Sequence, residues 1–462
     1  MASLSFAERT QGRSLLRQVC AFAIPLILTS LLSQLFNTAD SIVVGRWGGA
    51  TAEESEACLA AVGSCGSLIN LIISLSLGLA IGAGVIVARF YGAGDSEALS
   101  DTVHTAVTSS AFVGLLLGVV GFLGAPTFLA LMGTDAAAMD HAVRYMRAYF
   151  IGVPAMVIYN YAASCLRAVG DTVRPLIILS TSGVLNVVLN LVAVLGLRLG
   201  AMGVGVATAA SNILSCVLVL LYLFRRPGLC HLEARRLRIR AHLLKRILII
   251  GLPASLQTAL FSISNVIIQS AVNGLGSTAL IAANTAVSNV ESYVYLAQNA
   301  FAQATVTFVS QSLGAGQLRR AHRSTLVCLL CGVTVAVVLG CGAFLGGRSL
   351  LRLFLPDSPE GIEIGMIRFG IVGLAYGLCA AMDVGCSALR GLGRSLLPMT
   401  ISLIGACGLR IVWVFTVFAM LPTPETLYSS YPVTWAVTAI MQFIAYAVCY
   451  RRLVRGRPLA AP

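Results

Sequence analysis

The stretch SQLFNTADSIVVGR, residues 33–46, carries one carboxylate, Asp40, near the end of an apolar run that begins near Phe22. Gln34 and Asn37 precede it by six and three residues, so three polar groups fall along one stripe of a helix. An ionisable group within hydrocarbon costs about 2.5 to 3.5 kcal/mol on insertion scales, and where it is kept it faces a cavity, a partner or an ion pathway. The chemistry open to Asp40 is to exchange a proton or to hold a cation. The competing assignment is an interfacial residue reaching outward beside Arg46. Later in the chain, Glu291 in SNVESYVYLAQ, Asp383 in AAMDVGCSALRG and Arg410 in GACGLRIVWVF are equally expensive, and their charges sum to minus one. They read either as a buried ion pair, Arg410 with Glu291 or Asp383, or as direct binders of substrate or ion. Asn265 and Gln269 would line the same region.

These residues need elements that hold them in hydrocarbon. With 462 residues, 58% of them hydrophobic and 11% charged, the chain is far too apolar for a water-soluble protein, where about 25% charge is usual. Apolar runs recur along its whole length, and a helix needs about 20 such residues to cross a bilayer. Barrel-type alternation is absent, which leaves helices as the spanning solution. The expected fold class is an all-α polytopic membrane protein with twelve transmembrane helices at 18–44, 59–88, 100–123, 142–166, 173–197, 202–224, 245–272, 279–311, 322–345, 363–388, 396–420 and 432–450.

Positive charge sets the expected orientation. Of 31 Lys and Arg residues, 23 fall at the termini and the even-numbered loops, including Arg9, Arg13 and Arg457. Seven lie on the other side (Arg46, Arg144, Arg147, Arg198, Arg348, Arg352 and Arg368), and Arg410 lies inside a span. Both termini are therefore expected in the cytoplasm, with the protein in the plasma (inner) membrane. The net charge of +13 follows this topology and does not indicate nucleic acid. The longest basic stretch, residues 225–246, reads as a linker that can lie along anionic headgroups.

Other chemistries find no support. Most of the 13 cysteines sit within apolar spans as small hydrophobes, and the C-x-x-C pair Cys328 and Cys331 has no histidine or carboxylate near it in sequence. The five histidines form no cluster. No phosphate loop, dinucleotide fingerprint, nucleophile with a base or HExxH motif occurs, so neither an enzyme nor a cofactor is expected. The N-terminal MASLSFAERTQGRSLLRQ has no cleavage pattern and leads straight into the first span.

The chain also repeats. RFYGAGD after the second span matches SQSLGAG after the eighth, placing Gly92 and Gly94 over Gly314 and Gly316 at an offset of 222. CLRAVGDTVRPL matches ALRGLGRSLLPM, so Arg167, Gly170 and Pro175 fall on Arg390, Gly393 and Pro398 at 223. Pro25 and Asn37 fall on Pro253 and Asn265 at 228, the change arising from TAEESE in the first outer loop. Two parallel six-helix halves form an alternating-access architecture, with domains expected at 1–224 and 245–462 around a basic linker at 225–244. The Gly-Ala-Gly motifs read as helix caps, because glycine takes left-handed angles freely.

FNTADSIVVGRWGG with LAAVG after it, RFYGAGD, LRAVGDTVRP with NVVLN after it, TFVSQSLGAG and LRGLGRSLLP together resemble the multidrug and toxic compound extrusion (MATE) transporters, over essentially the full chain. The resemblance implies a secondary antiporter of two six-helix bundles around a central cavity. It would export amphipathic or cationic organic compounds against entry of H+ or Na+, as a monomer with no cofactor. In the DinF-like branch, the resemblance carries the coupling chemistry onto Asp40, Asn160, Asn186 and Thr208. One position departs from that branch, which has Asp four residues after the span-five Asn, where this chain has Asn190. Asp40 would then be the sole carboxylate of a shell with Asn186, Asn190 and Thr208, suited to Na+ or to a proton. A lipid-linked precursor flippase of the same superfamily is the alternative. A channel or receptor would conduct or signal without turnover.

Overall fold

A computed structural model describes residues 14–49, 51–356 and 358–456. Arg9, Arg13 and Arg457 lie outside the described residues, which are helical with no strand among them. The helices are α1 (Leu15–Trp47), α2 (Ala52–Ala93), α3 (Ser96–Leu131), α4 (Ala136–Ala168), α5 (Val173–Leu191), α6 (Gly200–Arg225), α7 (Ala241–Gly274), α8 (Thr278–Gly314) and α9 (Leu318–Leu345). The short α10 (Gly347–Phe354) follows, then α11 (Pro359–Arg368), α12 (Tyr376–Gly391), α13 (Leu396–Ser402), α14 (Leu409–Trp413) and α15 (Pro424–Val454). Single π-helical stretches extend α5 (Val192–Gly196) and α11 (Phe369–Gly373), and two more flank α14 (Leu403–Gly408 and Val414–Phe418).

Among the described residues, ten helices are long and apolar enough to cross a membrane, or up to eleven when α11 with its π extension and α12, bent by 41°, make one span. The twelve spans read from sequence differ from that count by α8. Its 37 residues give ample length, but Asn, Gln, Ser and Thr fill it and Glu291 sits inside it. A helix of that composition suits a polar interior better than lipid.

The chain divides into two compact units. One is Leu28–Gly251, and the other takes the described residues up to Ile27 together with the chain from Leu252. The chain thus changes unit inside α1 and again inside α7, two residues after Pro25 and two before Pro253. Val19, Phe22, Ala23 and Leu26 of α1 belong to a core with Ala300, Ala304 and Phe308 of α8. The first turns of α7 pack on α2 in the other unit, where a Cβ on Gly82 would stand 2.3 Å from the Ile247 carbonyl oxygen.

In the first unit α4 is central, packed by α2, α3 and α6. In the second unit α12 holds the corresponding place against α8, α9 and α15. Both Gly-Ala-Gly motifs end helices as expected: Gly94 and Gly316 take φ of 72° and 69°. The next amide in each case, that of Asp95 or Gln317, donates back to Phe90 (3.1 Å) or Ser312 (2.8 Å). The same cap recurs at Gly170 and Gly393, with φ of 94° and 86°.

The basic linker does not lie free. Asp101, a buried carboxylate near the start of α3, pairs with Arg240 at 2.7 Å and Arg236 at 3.3 Å. The Glu233 amide donates to His104 Nε2 at 2.9 Å and the Arg240 amide to Thr105 at 3.3 Å, which ties the segment to the first unit.

Candidate functional site

In the first unit three helices converge on Asp40. Phe36, one turn before it, lies directly on Gly183 of α5, where a Cβ would stand 1.8 Å from the ring. This bare glycine lets α1 approach α5 closely and brings Asp40 opposite Asn190, whose Nδ2 donates to Asp40 Oδ1. The same Nδ2 reaches Asn186 Oδ1 at 3.4 Å, one turn earlier on α5, and Asn186 Nδ2 reaches Thr208 Oγ1 on α6 at 3.5 Å. Asn186 and Asn190 are buried, 5% and 1% exposed, while Asp40 and Thr208 are half-buried. Asn190 Oδ1 is buried with no hydrogen-bond partner. An unanswered buried acceptor costs about 1–3 kcal/mol, and this one stands on the residue bonded to the carboxylate. Below the site, Ser182 of α5 takes hydrogen bonds from Ser211 (2.9 Å) and Ser215 (2.6 Å) of α6, which fixes the two helices together.

The other predicted residues of this unit stand apart from that chain of side chains. Asn160 donates to Ser76 of α2 at 3.1 Å. Gln34 is half-buried and Asn37 exposed on α1.

In the second unit the expected ion pair has a different cation. Glu291 pairs with Arg368, through Nη2 to Oε2 at 2.5 Å and Nε to Oε1 at 3.4 Å, both side chains being about 5% exposed. Arg410 takes neither Glu291 nor Asp383. It stacks over the Tyr431 ring at 4.3 Å, and its Nη1 and Nη2 reach Asn265 Oδ1 (3.3 Å) and Thr434 Oγ1 (3.4 Å). The reason is placement: Arg368 ends α11 where the helix loosens into a π turn and faces α8, whereas Arg410 faces α15. Gln269 joins the first network, since Asn284 Nδ2 donates to Gln269 Oε1 at 2.7 Å while Asn284 Oδ1 accepts from Arg368 and from Tyr428 (3.4 Å). Asp383 Oδ2 is buried without a partner.

Arg368, Asn284, Tyr428 and Tyr431 were missed by sequence reasoning. Arg368 had a readable signal, because it stands five residues inside the expected span 363–388 and a charge there requires a partner. Another regularity emerges with the structure: Asn160 and Asp383 are 223 apart, the offset of the motif that follows each, and Asn160 meets Ser76 of α2 while Asp383 lies near Asn299 of α8. A neutral pair in the first unit thus stands where the second has a carboxylate and an amide.

An all-helical chain with long apolar spans, an internal repeat and carboxylates held inside it is a multi-pass membrane transporter in its design. The MatE family model matches residues 25–192 and again residues 253–416, so one description fits both halves. The chain belongs to the MatE family, whose members are transporters and not enzymes. It is 29% identical over 454 residues to the probable multidrug resistance protein YoeA of Bacillus subtilis, covering 96% of each chain. It is 24% identical to the probable multidrug resistance protein NorM of Thermotoga maritima, over 84% of this chain and 82% of that one. Its fold matches a crystal structure of MATE in complex with MaL6 at a TM-score of 0.87 and 21% identity, over 96% of this chain and all of that one.

Proposed function

We propose that the protein is a secondary active antiporter that exports amphipathic or cationic organic compounds in exchange for H+ or Na+, with Asp40 as the coupling carboxylate. The observation that carries this reading is the joined set Asp40, Asn190, Asn186 and Thr208, with an orphaned Asn190 Oδ1 beside the only carboxylate. Multidrug relatives at nearly full length support the export role.

The donors fit Na+, a hard cation that takes oxygen ligands. Asp40, Asn190, Asn186 and Thr208 would hold it, and the bound charge would neutralise the carboxylate. A proton on Asp40 would do the same. A ligand can move such a protein only by binding its two states unequally. Neutralising Asp40 weakens its hold on a cationic substrate and on the Asn190 amide together, and so favours release.

The finer assignments belong to the same proposal: the DinF-like branch, twelve spans in two pseudo-symmetric six-helix bundles, 1–224 and 245–462, and a linker at 225–244. The protein would be a monomer in the inner membrane with both termini in the cytoplasm and a small amphipathic molecule as its cargo. The test is flux of a fluorescent organic cation in proteoliposomes under an imposed proton gradient and, separately, a sodium gradient. Flux driven by one gradient assigns the ion. Absence of gradient-driven flux for a panel of such cations sinks the antiport reading.

A further inference from the structure

The second unit buries one more cation than it can pair. Arg368 and Glu291 satisfy each other, but Arg410, 3% exposed, has no carboxylate, and none of the ion pairs among the described residues includes it. Its two hydrogen bonds are long and go to neutral oxygens, 3.3 Å to Asn265 and 3.4 Å to Thr434. The Thr434 hydroxyl already donates to the Ser430 carbonyl at 2.7 Å. Arg410 Nε is buried with no partner. Asp383 does not balance it, since its neighbours are Arg390 and Asn299.

A buried, unpaired guanidinium is costly, and truncating one partner of a buried pair loses several kcal/mol for this reason. Arginine cannot escape by giving up its proton, so the charge waits for an anion. The surroundings suit a ligand. Asn265, which holds one edge of the guanidinium, is exposed on α7, so the charge lies directly behind an amide that is not covered by the protein. Tyr431, half-buried, covers the guanidinium face, and the buried Trp435 and Tyr376 back it from the core, with ring centroids 5.5 Å and 5.4 Å apart in succession. α14 is only five residues long and lies between two π-helical stretches, a local geometry that recurs at functional sites.

We propose that Arg410 is the anion-binding point of a substrate subsite inside the second unit, taking the carboxylate or phosphate group of an amphipath whose apolar body lies against Tyr431. The inference rests on the transport reading above and gives an anionic group of the cargo a binding point in the second unit. The anion displaces the Asn265 amide and meets Nε with an adjacent Nη in the paired geometry that arginine offers to planar oxyanions.

The experiment uses two fluorescent xanthylium dyes that differ only in a free carboxylate against its ethyl ester. Binding to the purified full chain is followed by fluorescence polarisation. The expected result is tighter binding of the carboxylate dye by about tenfold, a preference that Arg410→Gln abolishes while leaving ester affinity in place. Arg410→Lys, which keeps charge but loses the fork, retains part of the preference, and Asn265→Ala, which clears the competing amide, enlarges it. Equal affinities in the unaltered protein, a preference that survives Arg410→Gln, or parallel loss of both dyes in a monodisperse Arg410→Lys protein overturns the proposal. Gradient-driven flux of the ester is measured beside it, so that failure of the antiport reading shows as lost flux with the binding preference intact.

Discussion

The two units hold their intramembrane charges in opposite ways. In the first, one carboxylate takes its hydrogen bond from a neutral amide, and that amide's own oxygen is left over. In the second, a carboxylate and a guanidinium are locked together and a second guanidinium is left over. The same helical plan thus leaves a carboxylate without a cationic partner in one half and a guanidinium without an anionic partner in the other, where Asp383 also keeps an unbonded oxygen. Neutral partners leave a charge free to respond to an ion or ligand, whereas a paired charge is spent on holding helices together. On the proposals above, Asp40 and Arg410 would be the responsive groups, and Glu291 and Arg368 the structural ones.

The comparison can be broken from either side. The largest expected effect is that of Asp40→Asn, which keeps the shape and removes the charge: gradient-driven flux should fall to the protein-free background while the folded protein remains monodisperse. Unaltered flux would remove Asp40 from coupling. Next comes Glu291→Gln, which strands Arg368 in the core and should cost about 3–5 kcal/mol of stability, read as a lowered thermal midpoint in detergent. Pairing it with Arg368→Met should recover most of that loss, and failure to recover would mean that the pair does more than hold α8 to α11.

Gly183→Ala is expected to cost about 1–3 kcal/mol, because its Cβ would overlap the Phe36 ring and push α1 from α5. Flux should drop with it as Asp40 leaves Asn190, and a normal flux at reduced stability would separate the hydrogen bond from coupling. The smallest effect is that of Asn160→Ala, which removes a 3.1 Å bond to half of a neutral pair and should lower stability by about 0.5–1.5 kcal/mol with flux retained. Lost flux there would enlarge the site beyond the four joined residues.

Much of the plan was legible in the chain itself. The glycine caps followed from Gly94, Gly170, Gly316 and Gly393 matching at fixed offsets, because a left-handed cap has few alternatives to glycine. The i, i+4 spacing of Asn186 and Asn190 put both on one face of α5, and Asp40 stood out by its cost. The pairing of charges was another matter. Glu291 had several arginines in later spans or at their edges, Arg368, Arg390 and Arg410 among them, and spacing along the chain does not rank partners on different helices. The sequence places a span at 279–311, where α8 lies, although its Asn, Gln and Ser residues lower its apolar signal; one of them, Asn284, bonds Gln269 and Arg368.

Sequence alone determined that this is a helical membrane protein with a doubled plan, since hydrocarbon requires long apolar runs with internally bonded backbones and the repeat is written in matching motifs. It also determined which residues are too costly to be idle. Tertiary structure alone decided which of those costs are met. That depends on a few ångströms between helices, such as the Phe36 to Gly183 approach that delivers Asp40 to Asn190, and on the turn at which Arg368 and not Arg410 comes to face Glu291. Buried charge is paired over short distances, and those distances are set by packing.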